Sequence, residues 1–233
     1  MGLLTLALII DIFAGDPAWL WKRAPHPVVL IGHIINGFDR FRDRDDVAVW
    51  ARRVGLENPQ MRAQIIGAIL LLFLLIVSVV IGRLIAGLGP LGWVLELILV
   101  AILIAQRSLY DHVARVVEAL KGQGLQAART HLSMIVGRDV SKLDESGISK
   151  AAIESLAENF SDGVVAPVLW YAVAGLPGIL FYKSVNTADS MIGHHNERFE
   201  HFGKPAAKLD DWMNWPAARF SSLLVVLSVT LAR

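Results

Sequence analysis

Acidic side chains that could do chemistry stand at the edge of an apolar stretch near the middle of the chain. Glu158 and Asp162 are four residues apart, so a helix would place both on one face. Like charges at that spacing repel unless a cation or a basic ligand group lies between them. The alternative is an ordinary solvated helix end. An apolar run begins at Val164, so the pair lies at a membrane boundary, where ionisable groups are usually functional.

A second polar group follows the same apolar stretch. A helix would align two strips of side chains: Lys183, Asn186, Ser190 and Glu197 on one, Asp189 and Asn196 on the next. Such a set suits a phosphate at Lys183 and Mg²⁺ at Asp189 and Glu197, because Mg²⁺ takes one or two carboxylates plus substrate phosphates. The alternative is snorkelling of Lys183 with helix capping by Asn186 and Asp189.

Four other signals are weaker. Residue types that bind zinc occur at His194, His195, Glu197 and His201. No H-E-x-x-H is present, however, and the segment is polar, so a zinc site is not favoured. Asp210 and Asp211 precede the last apolar stretch, where helix-start acids explain part of the pattern. His26 lies between two prolines, which hold it extended and could present its imidazole to a ligand. The G-x-G-x-x-G string at 87–92 follows no strand and predicts a turn.

The composition predicts the elements that position these residues. Hydrophobic residues make up 55% of the chain, 18% are charged, and the mean hydropathy is +0.52. Residues 65–81 carry no charge and are long enough to cross a bilayer as a helix. We expect an all-α, multi-pass membrane protein with four to five hydrophobic segments, at 1–14, 65–88, 91–106, 164–185 and 216–232. A net charge of +1 does not favour nucleic-acid binding, and the absence of cysteine excludes a thiolate or disulfide.

Two polar stretches, 16–64 and 107–162, hold most of the lysines and arginines, so the positive-inside rule places both in the cytoplasm. Apolar residues recur at helical spacing through 107–162, which predicts a layer of amphipathic cytoplasmic helices. We expect the third of these helices to begin near Ser149 as its N-cap and to pack in this layer, with Ile153, Leu156, Ala157 and Phe160 aligned on one face.

The fourth apolar stretch contains Ala174-Gly175-Leu176-Pro177-Gly178, the composition of a helix break. Either this stretch crosses the membrane once, or two half-helices dip in and return. Interrupted membrane helices tend to surround substrate sites, and the composition favours the re-entrant hairpin.

These segments together resemble the CobD/CbiB membrane proteins of cobalamin biosynthesis. The resemblance runs in order from about residue 5 to 222 and indicates a single membrane-embedded domain over 1–233. Its motifs are Asp11 to Pro17, His26-Pro27-Val28, Glu158 to Gly163, Lys183 to Ser190, Asn196 to Phe199, and Leu209 to Asp211. His194 and His195 depart from the family pattern. The family usually continues past the last segment, so we expect this chain to be C-terminally short.

The resemblance implies an adenosylcobinamide-phosphate synthase, an ATP-dependent ligase in the cell membrane with a cytoplasmic active site. Its substrates would be adenosylcobyric acid, (R)-1-aminopropan-2-ol or its O-phosphate, and ATP, with Mg²⁺ as cofactor and the corrinoid as substrate. On this hypothesis Asp162 and Asp189 hold Mg²⁺, and Lys183 and Arg198 bind phosphate.

The same hypothesis makes Glu158 or Glu197 the base or the group that steers the amine. On this hypothesis the amides of the corrin rim are oriented by Asn159, Asn186 and Asn196. Further substrate contacts are His26, Asp210 and Asp211. The chain has no Walker A motif, so an ATP site would be unconventional. A transporter or permease subunit and a Mg²⁺-dependent membrane phosphotransferase remain as alternatives.

Overall fold

The computed structural model describes residues 2–15, 21–23, 25–194 and 196–231, and every regular element in these ranges is helical. The helices are α1 (Gly2–Ala14), α2 (Pro27–Arg42), α3 (Asp45–Arg53), α4 (Pro59–Ala86), α5 (Pro90–Leu103), α6 (Gln106–Glu118), α7 (Leu125–Leu132), α8 (Glu145–Phe160), α9 (Ala166–Ile192) and α10 (Lys204–Leu231). Short π-helical turns at Ala119–Gln123 and Ser161–Val165 follow α6 and α8. The all-α prediction is confirmed.

Three helical stretches are long and apolar enough to cross a membrane: Pro59–Ala86, Pro90–Gln123 and Glu145–Ile192. Gly2–Ala14 is a shorter apolar helix. The predicted segments at 65–88, 91–106 and 164–185 each correspond to one of the three. Residues 216–231 of the predicted segment at 216–232 are the second half of α10, which already begins at Lys204. These helices form the fold of a multi-pass membrane protein.

The chain divides into two compact units, which we describe separately. The first unit comprises Met1–Asp16, Leu97–Val168 and Ala217–Arg233, and the second comprises Pro17–Glu96 and Leu169–Pro216.

The core of the first unit is the predicted layer of amphipathic helices. Its buried members come from α6, α7 and α8 and from the segments beside them: Val116, Ala119, Ala128, Leu132, Val140, Ile148, Ala151 and Ala152. The prediction for α8 was wrong in two respects. The helix begins at Glu145, where Asp144 caps it by accepting a hydrogen bond from the Gly147 N–H, and Ile153 is 67% exposed. The buried face combines Ile148 with the small residues Ala151, Ala152 and Ser155, which allow the helices to approach closely.

A buried carboxylate joins α1 to α6 in the first unit. Asp11 is 3% exposed, and its Oδ2 accepts hydrogen bonds from the backbone N–H groups of Gln106 (3.0 Å) and Arg107 (3.2 Å). These N–H groups belong to the first turn of α6, which has no side-chain cap of its own. Asp11 therefore caps α6 from a different helix, and its negative charge meets the positive end of the helix dipole. Asp16 and Pro17, which complete the motif around Asp11, lie outside the described residues.

The second unit is built around α4. Helix α2 packs on α4, with the rings of Phe38 and Phe73 centred 5.5 Å apart. The glycine-rich string at 87–92 spans the end of α4 at Ala86 and the start of α5 at Pro90, so the predicted turn is confirmed.

Helix α9 is broken where the sequence predicts. Ala174 (φ −136°, ψ 15°) and Gly175 (φ 62°, ψ −150°) leave the helical conformation, and Pro177 follows. Glycine suits this position because a positive φ is strained for other residues. We call residues 166–173 the first arm and residues 176–192 the second arm.

The two arms lie side by side as a hairpin. Trp170 Nε1 donates to the carbonyl oxygen of Met213 (3.1 Å), and the Tyr182 hydroxyl donates to Oδ1 of Asn214 (2.8 Å). In a straight helix residues 170 and 182 would be about 18 Å apart, yet both reach adjacent residues of α10. A Cβ added at Gly178 would overlap the carbonyl oxygen of Trp170, which again requires a close return of the chain.

Candidate functional site

A chain of polar side chains connects the second arm of α9 to α10. Beyond the Tyr182–Asn214 bond, Asn214 Nδ2 donates to Asp210 Oδ2 (2.8 Å) and Asn186 Nδ2 donates to Asp210 Oδ1 (3.3 Å). Asp210 is 7% exposed. Both oxygens of one buried carboxylate are therefore hydrogen-bonded to amides from two helices, which fixes the register between them.

An open groove of about 460 Å³ runs along the second arm beside α2. Its polar lining consists of His33, Asn36, Lys183, Asn186, Thr187 and Ser190. The structure thus brings together the predicted residues Lys183, Asn186 and Ser190. An ammonium, two amides and hydroxyls around one groove can bind an anion and orient neutral amide or hydroxyl groups.

The opposite wall of this groove includes His33 and Asn36, which were not predicted from the sequence. They lie three residues apart on α2 and therefore share a helix face. The signal was available, because they are polar residues at helical spacing within the apolar run Val28–Phe38.

Asp189 lies half-buried on the second arm, where it interacts electrostatically with Asp211 of α10 and with His194. The two carboxylates repel each other, so this pair is a place where a cation would be stabilised. Asp211 itself is exposed.

The predicted strips do not extend to Asn196 and Glu197, and this part of the prediction was wrong. Helix α9 ends at Ile192, and residues 196–203 form bends and turns before α10. Gly193 follows Ile192 directly, with its N–H bonded to the Asp189 carbonyl oxygen (2.7 Å) and no room for a Cβ beside the Asp189 carboxylate. Glu197 is exposed, and Asn196 Oδ1 accepts a bond from the Phe199 N–H (2.9 Å) within the turn.

Arg198 is held by carboxylates of α2 and the residue after it. Its Nη2 lies 2.7 Å from Asp39 Oδ2 and 3.4 Å from Asp43 Oδ2. Arg42 joins the network by contacting Asp39 (3.1 Å) and by donating to the Arg198 carbonyl oxygen (3.0 Å). The hydrogen bond to Asp39 raises the pKa of the Arg198 guanidinium, so this group stays charged. The predicted phosphate contact of Arg198 stays a prediction.

His26 begins α2. Its Nδ1 accepts a hydrogen bond from the Val28 N–H (3.2 Å), and its ring packs edge-on against Trp21 with centroids 4.4 Å apart. The imidazole is therefore a helix cap, and its predicted role as a substrate contact stays a prediction.

In the first unit, two of the predicted residues, Glu158 and Asn159, line two neighbouring cavities. Asn159 borders one of about 480 Å³ together with Ser108 and His112, and Glu158 borders one of about 310 Å³. Asn159 donates to the Ser155 carbonyl oxygen (2.8 Å), and His112 Nδ1 lies 2.7 Å from the Ser108 carbonyl oxygen. His112 escaped the sequence analysis.

Asp162 is half-buried in the π turn after α8, whereas Glu158 is exposed on α8 itself. Single π turns are frequent at functional sites. The predicted pairing of Asp162 and Asp189 in one Mg²⁺ site stays a prediction, because the two residues belong to different units. Within the ranges that the structure describes, no three His, Cys, Asp or Glu side chains form a cluster that could hold a metal ion, and His195 lies outside those ranges.

The sequence analysis also missed a carboxylate inside an apolar helix. Glu96 of α5 accepts a hydrogen bond from the Tyr171 hydroxyl of the first arm (2.7 Å). The signal was a lone acid in an otherwise uncharged segment, which in a membrane helix marks a paired or functional residue.

A broken, folded-back apolar helix with a polar groove on its second arm defines a helical membrane protein built around an internal hairpin. Comparison with known proteins identifies the family: the family model for the CobD/CbiB protein matches residues 4–233. The chain belongs to the CobD/CbiB family.

Curated relatives named cobalamin biosynthesis protein CobD match almost the whole chain. The relative from Sinorhizobium sp is 52% identical over 99% of this chain and 69% of its own length. The relative from Rhizobium meliloti (strain 1021) is 48% identical over 99% of this chain and 68% of its own, and one from Rhodobacter capsulatus is 40% identical over 97% and 69%. No solved structure matches the chain.

Proposed function

We propose that this protein is a cobalamin biosynthesis enzyme that forms the amide bond between adenosylcobyric acid and (R)-1-aminopropan-2-ol or its O-phosphate. Membership of the CobD/CbiB family and the names of the relatives support the pathway. The observation that carries the finer proposal is the groove beside the second arm, where Lys183 and Asn186 stand together with His33 and Asn36.

The proposed reaction explains why such residues are needed. A carboxylate does not condense with an amine in water, because its oxygen is a poor leaving group. Transfer of the γ-phosphoryl group of ATP to the propionate carboxylate gives an acyl phosphate and ADP. The neutral amine then attacks the acyl carbon, the C–O bond to phosphate breaks, and an amide and inorganic phosphate result. A base must take the proton that the ammonium loses before attack.

In the groove, the Lys183 ammonium would bind the phosphate of aminopropanol phosphate by a charge-assisted hydrogen bond. Asn186 is oriented by its bond to Asp210, so its remaining groups would face a ligand amide or hydroxyl. Mg²⁺ would screen the charge of the transferred phosphoryl group, and the mutually repelling pair Asp189 and Asp211 fits its need for one or two carboxylates. Glu158 and Glu197 remain candidates for the base, and both are exposed.

The proposal is tested with the purified full chain in detergent. The protein is incubated with adenosylcobyric acid, aminopropanol phosphate, ATP and Mg²⁺, and the corrinoid product is weighed by mass spectrometry. A mass gain equal to the joined substrates supports the proposal. No mass gain, while a relative is active in the same assay, would sink it. A transporter would give no product, because it forms no bond between the substrates and a detergent solution has no separate compartments. A lipid phosphotransferase would transfer phosphate to lipid instead.

Single variants then test the site. Lys183→Gln should lower kcat/KM for aminopropanol phosphate by about 10- to 100-fold, the usual weight of one charge-assisted contact. It should leave the rate with unphosphorylated aminopropanol nearly unchanged. Lys150→Gln, an exposed lysine on α8, is the matched control. If Lys183→Gln instead raises only the KM for ATP, Lys183 binds the nucleotide and the groove assignment is wrong.

The metal and the orientation need their own measurements. Asp189→Asn and Asp211→Asn test the proposed pair, and each should abolish turnover or raise the Mg²⁺ concentration needed for it; unchanged rates in both would remove the metal assignment. Asp162→Asn, made separately, tests the remaining candidate ligand in the same way. The lysine- and arginine-rich stretches support a cytoplasmic active site in the cell membrane. Cysteines placed at 162 and 189 should react with an impermeant reagent from the cytoplasmic side only.

A further inference from the structure

A second groove lies in the second unit, between α3 and the start of α4. Its volume is about 460 Å³, and its wall is almost entirely apolar. The residues that form most of this wall are Phe41, Val47, Trp50, Leu56, Ile65 and Ile69. Nothing in the proposed reaction uses this groove.

Two charged residues also line the groove, and only one of them is neutralised. Asp46 forms a two-bond ion pair with Arg44, at 2.9 Å and 2.7 Å. Arg62 is half-buried, and the described part of the chain supplies its guanidinium with no ion pair and no hydrogen bond. The groove therefore carries one uncompensated positive charge on an apolar wall.

The position of Arg62 in α4 fixes the level of that charge. Arg62 lies one helical turn before Ile65, where the uncharged run 65–81 begins. An arginine one turn outside the hydrocarbon-spanning run stands at the level of the lipid headgroups. Trp50, which is 59% exposed on the groove wall, is the type of residue enriched at that same level.

We infer that this groove binds an anionic phospholipid of the surrounding bilayer, with an acyl chain along the apolar wall and the phosphate on Arg62. The match is one of shape and charge: an apolar channel with a single cation at its headgroup end complements an amphiphile with a single anion at one end. A soluble phosphate compound would leave the apolar wall exposed to water. The short helix α3, with Val47 and Ala51 buried and Trp50 outward, would then lie in the interface.

The test measures lipid binding to the full chain in detergent. Phosphatidylglycerol and phosphatidylcholine with brominated acyl chains are titrated, and quenching of Trp50 is obtained as the difference between the wild type and Trp50→Phe. We expect half-saturation at about tenfold lower concentration for phosphatidylglycerol than for phosphatidylcholine, the effect of one charge-assisted contact. Arg62→Gln should remove this preference, and Arg62→Lys should keep most of it.

Arg53→Gln is the matched control, because Arg53 is an exposed arginine of α3 outside the groove wall. It should leave the preference within about twofold. Equal losses in Arg62→Gln and Arg53→Gln would show bulk surface attraction only, and equal binding of the two lipids would show apolar partitioning only. Competition by glycerol 3-phosphate at the same concentration would show a soluble phosphate site. Each of these results overturns the inference. The comparison of the two lipids and the glycerol 3-phosphate competition are made on the wild type, so they keep the inference falsifiable even if Arg62→Gln does not fold.

Discussion

Asp11 offers the sharpest test of how the first unit is held together. Its carboxylate caps α6 through two backbone N–H groups, those of Gln106 and Arg107. Asp11→Ala removes both bonds and the favourable charge at the helix N-terminus. Asp11→Asn keeps one oxygen of similar shape but removes the charge. We therefore expect stability to decrease from the wild type to Asp11→Asn, and further to Asp11→Ala.

The size of the effect follows from the two bonds. A hydrogen bond to a charged group contributes about 1.5 to 3 kcal/mol to stability. Because Arg107 is exposed and its N–H can bond to water after the change, we take the lower end, about 3 kcal/mol for the pair. In a chain of this length 1 kcal/mol shifts Tm by about 2–4 °C, so Asp11→Ala should lower Tm by about 6–12 °C. Neutral bonds are roughly half as strong, so Asp11→Asn should lower it by about 3–6 °C.

The assay measures the apparent Tm of the protein in detergent. Samples are heated, and the fraction of protein that remains in the monodisperse peak is measured at each temperature. Glu57→Ala, a change at an exposed acid between α3 and α4, is the control and should stay within about 2 °C. Hydrogen exchange localises the effect: the amides of residues 106 and 107 should exchange faster in Asp11→Ala, and those of α7 should not. An unchanged Tm, or a loss as large in Glu57→Ala, would refute the capping argument.

Two further predictions concern the hairpin and the arginine network of the second unit. Gly178→Ala places a Cβ against the Trp170 carbonyl oxygen and should destabilise the hairpin by about 1–3 kcal/mol, whereas Gly163→Ala, with its nearest contact at 3.6 Å, should cost less than about 1 kcal/mol. Equal Tm values for these two variants would contradict the fold-back of α9. Asp39→Asn leaves Arg42 without its buried partner and should cost about 2–3 kcal/mol, while Arg198→Gln removes a half-exposed partner and should cost about 0.5–1 kcal/mol. Urea unfolding measures the loss of stability in both variants, and a larger loss in Arg198→Gln would contradict this prediction.

The sequence was sufficient for features that depend on local chemistry. The uncharged run at 65–81 predicts a spanning helix by length alone, and it lies inside α4. Ala174 to Gly178 predicts the break in α9, because a glycine and a proline this close together do not sustain a helix. The spacing of Lys183, Asn186 and Ser190 correctly placed them on one wall, since the second arm is a regular helix over these residues.

Features that depend on long-range packing could not be predicted in the same way. The sequence shows Asp11 only as the first residue of the motif Asp11 to Pro17, because its partners Gln106 and Arg107 are more than ninety residues away along the chain. The face of α8 was misassigned because large apolar residues were expected inside, whereas close packing of helices selects small ones. Glu197 was placed on a helix strip because the spacing of polar residues does not show that α9 ends at Ile192, just before Gly193, where a Cβ would overlap the Asp189 carboxylate.

The break in α9 also explains the structural role of Asp210 in α10. If α9 were a continuous helix of 27 residues, one turn of α10 could bond to only one turn of α9. The hairpin lets Trp170 and Tyr182, from opposite arms, both bond to residues 213 and 214, so a single turn of α10 holds both arms together. Asp210 lies one turn earlier and bonds to Asn214 and Asn186, so the same stretch of α10 also sets the position of the groove wall. Asp210, which in the sequence resembles an ordinary helix-start acid, is therefore the link between the broken helix and the groove on which the proposed chemistry depends.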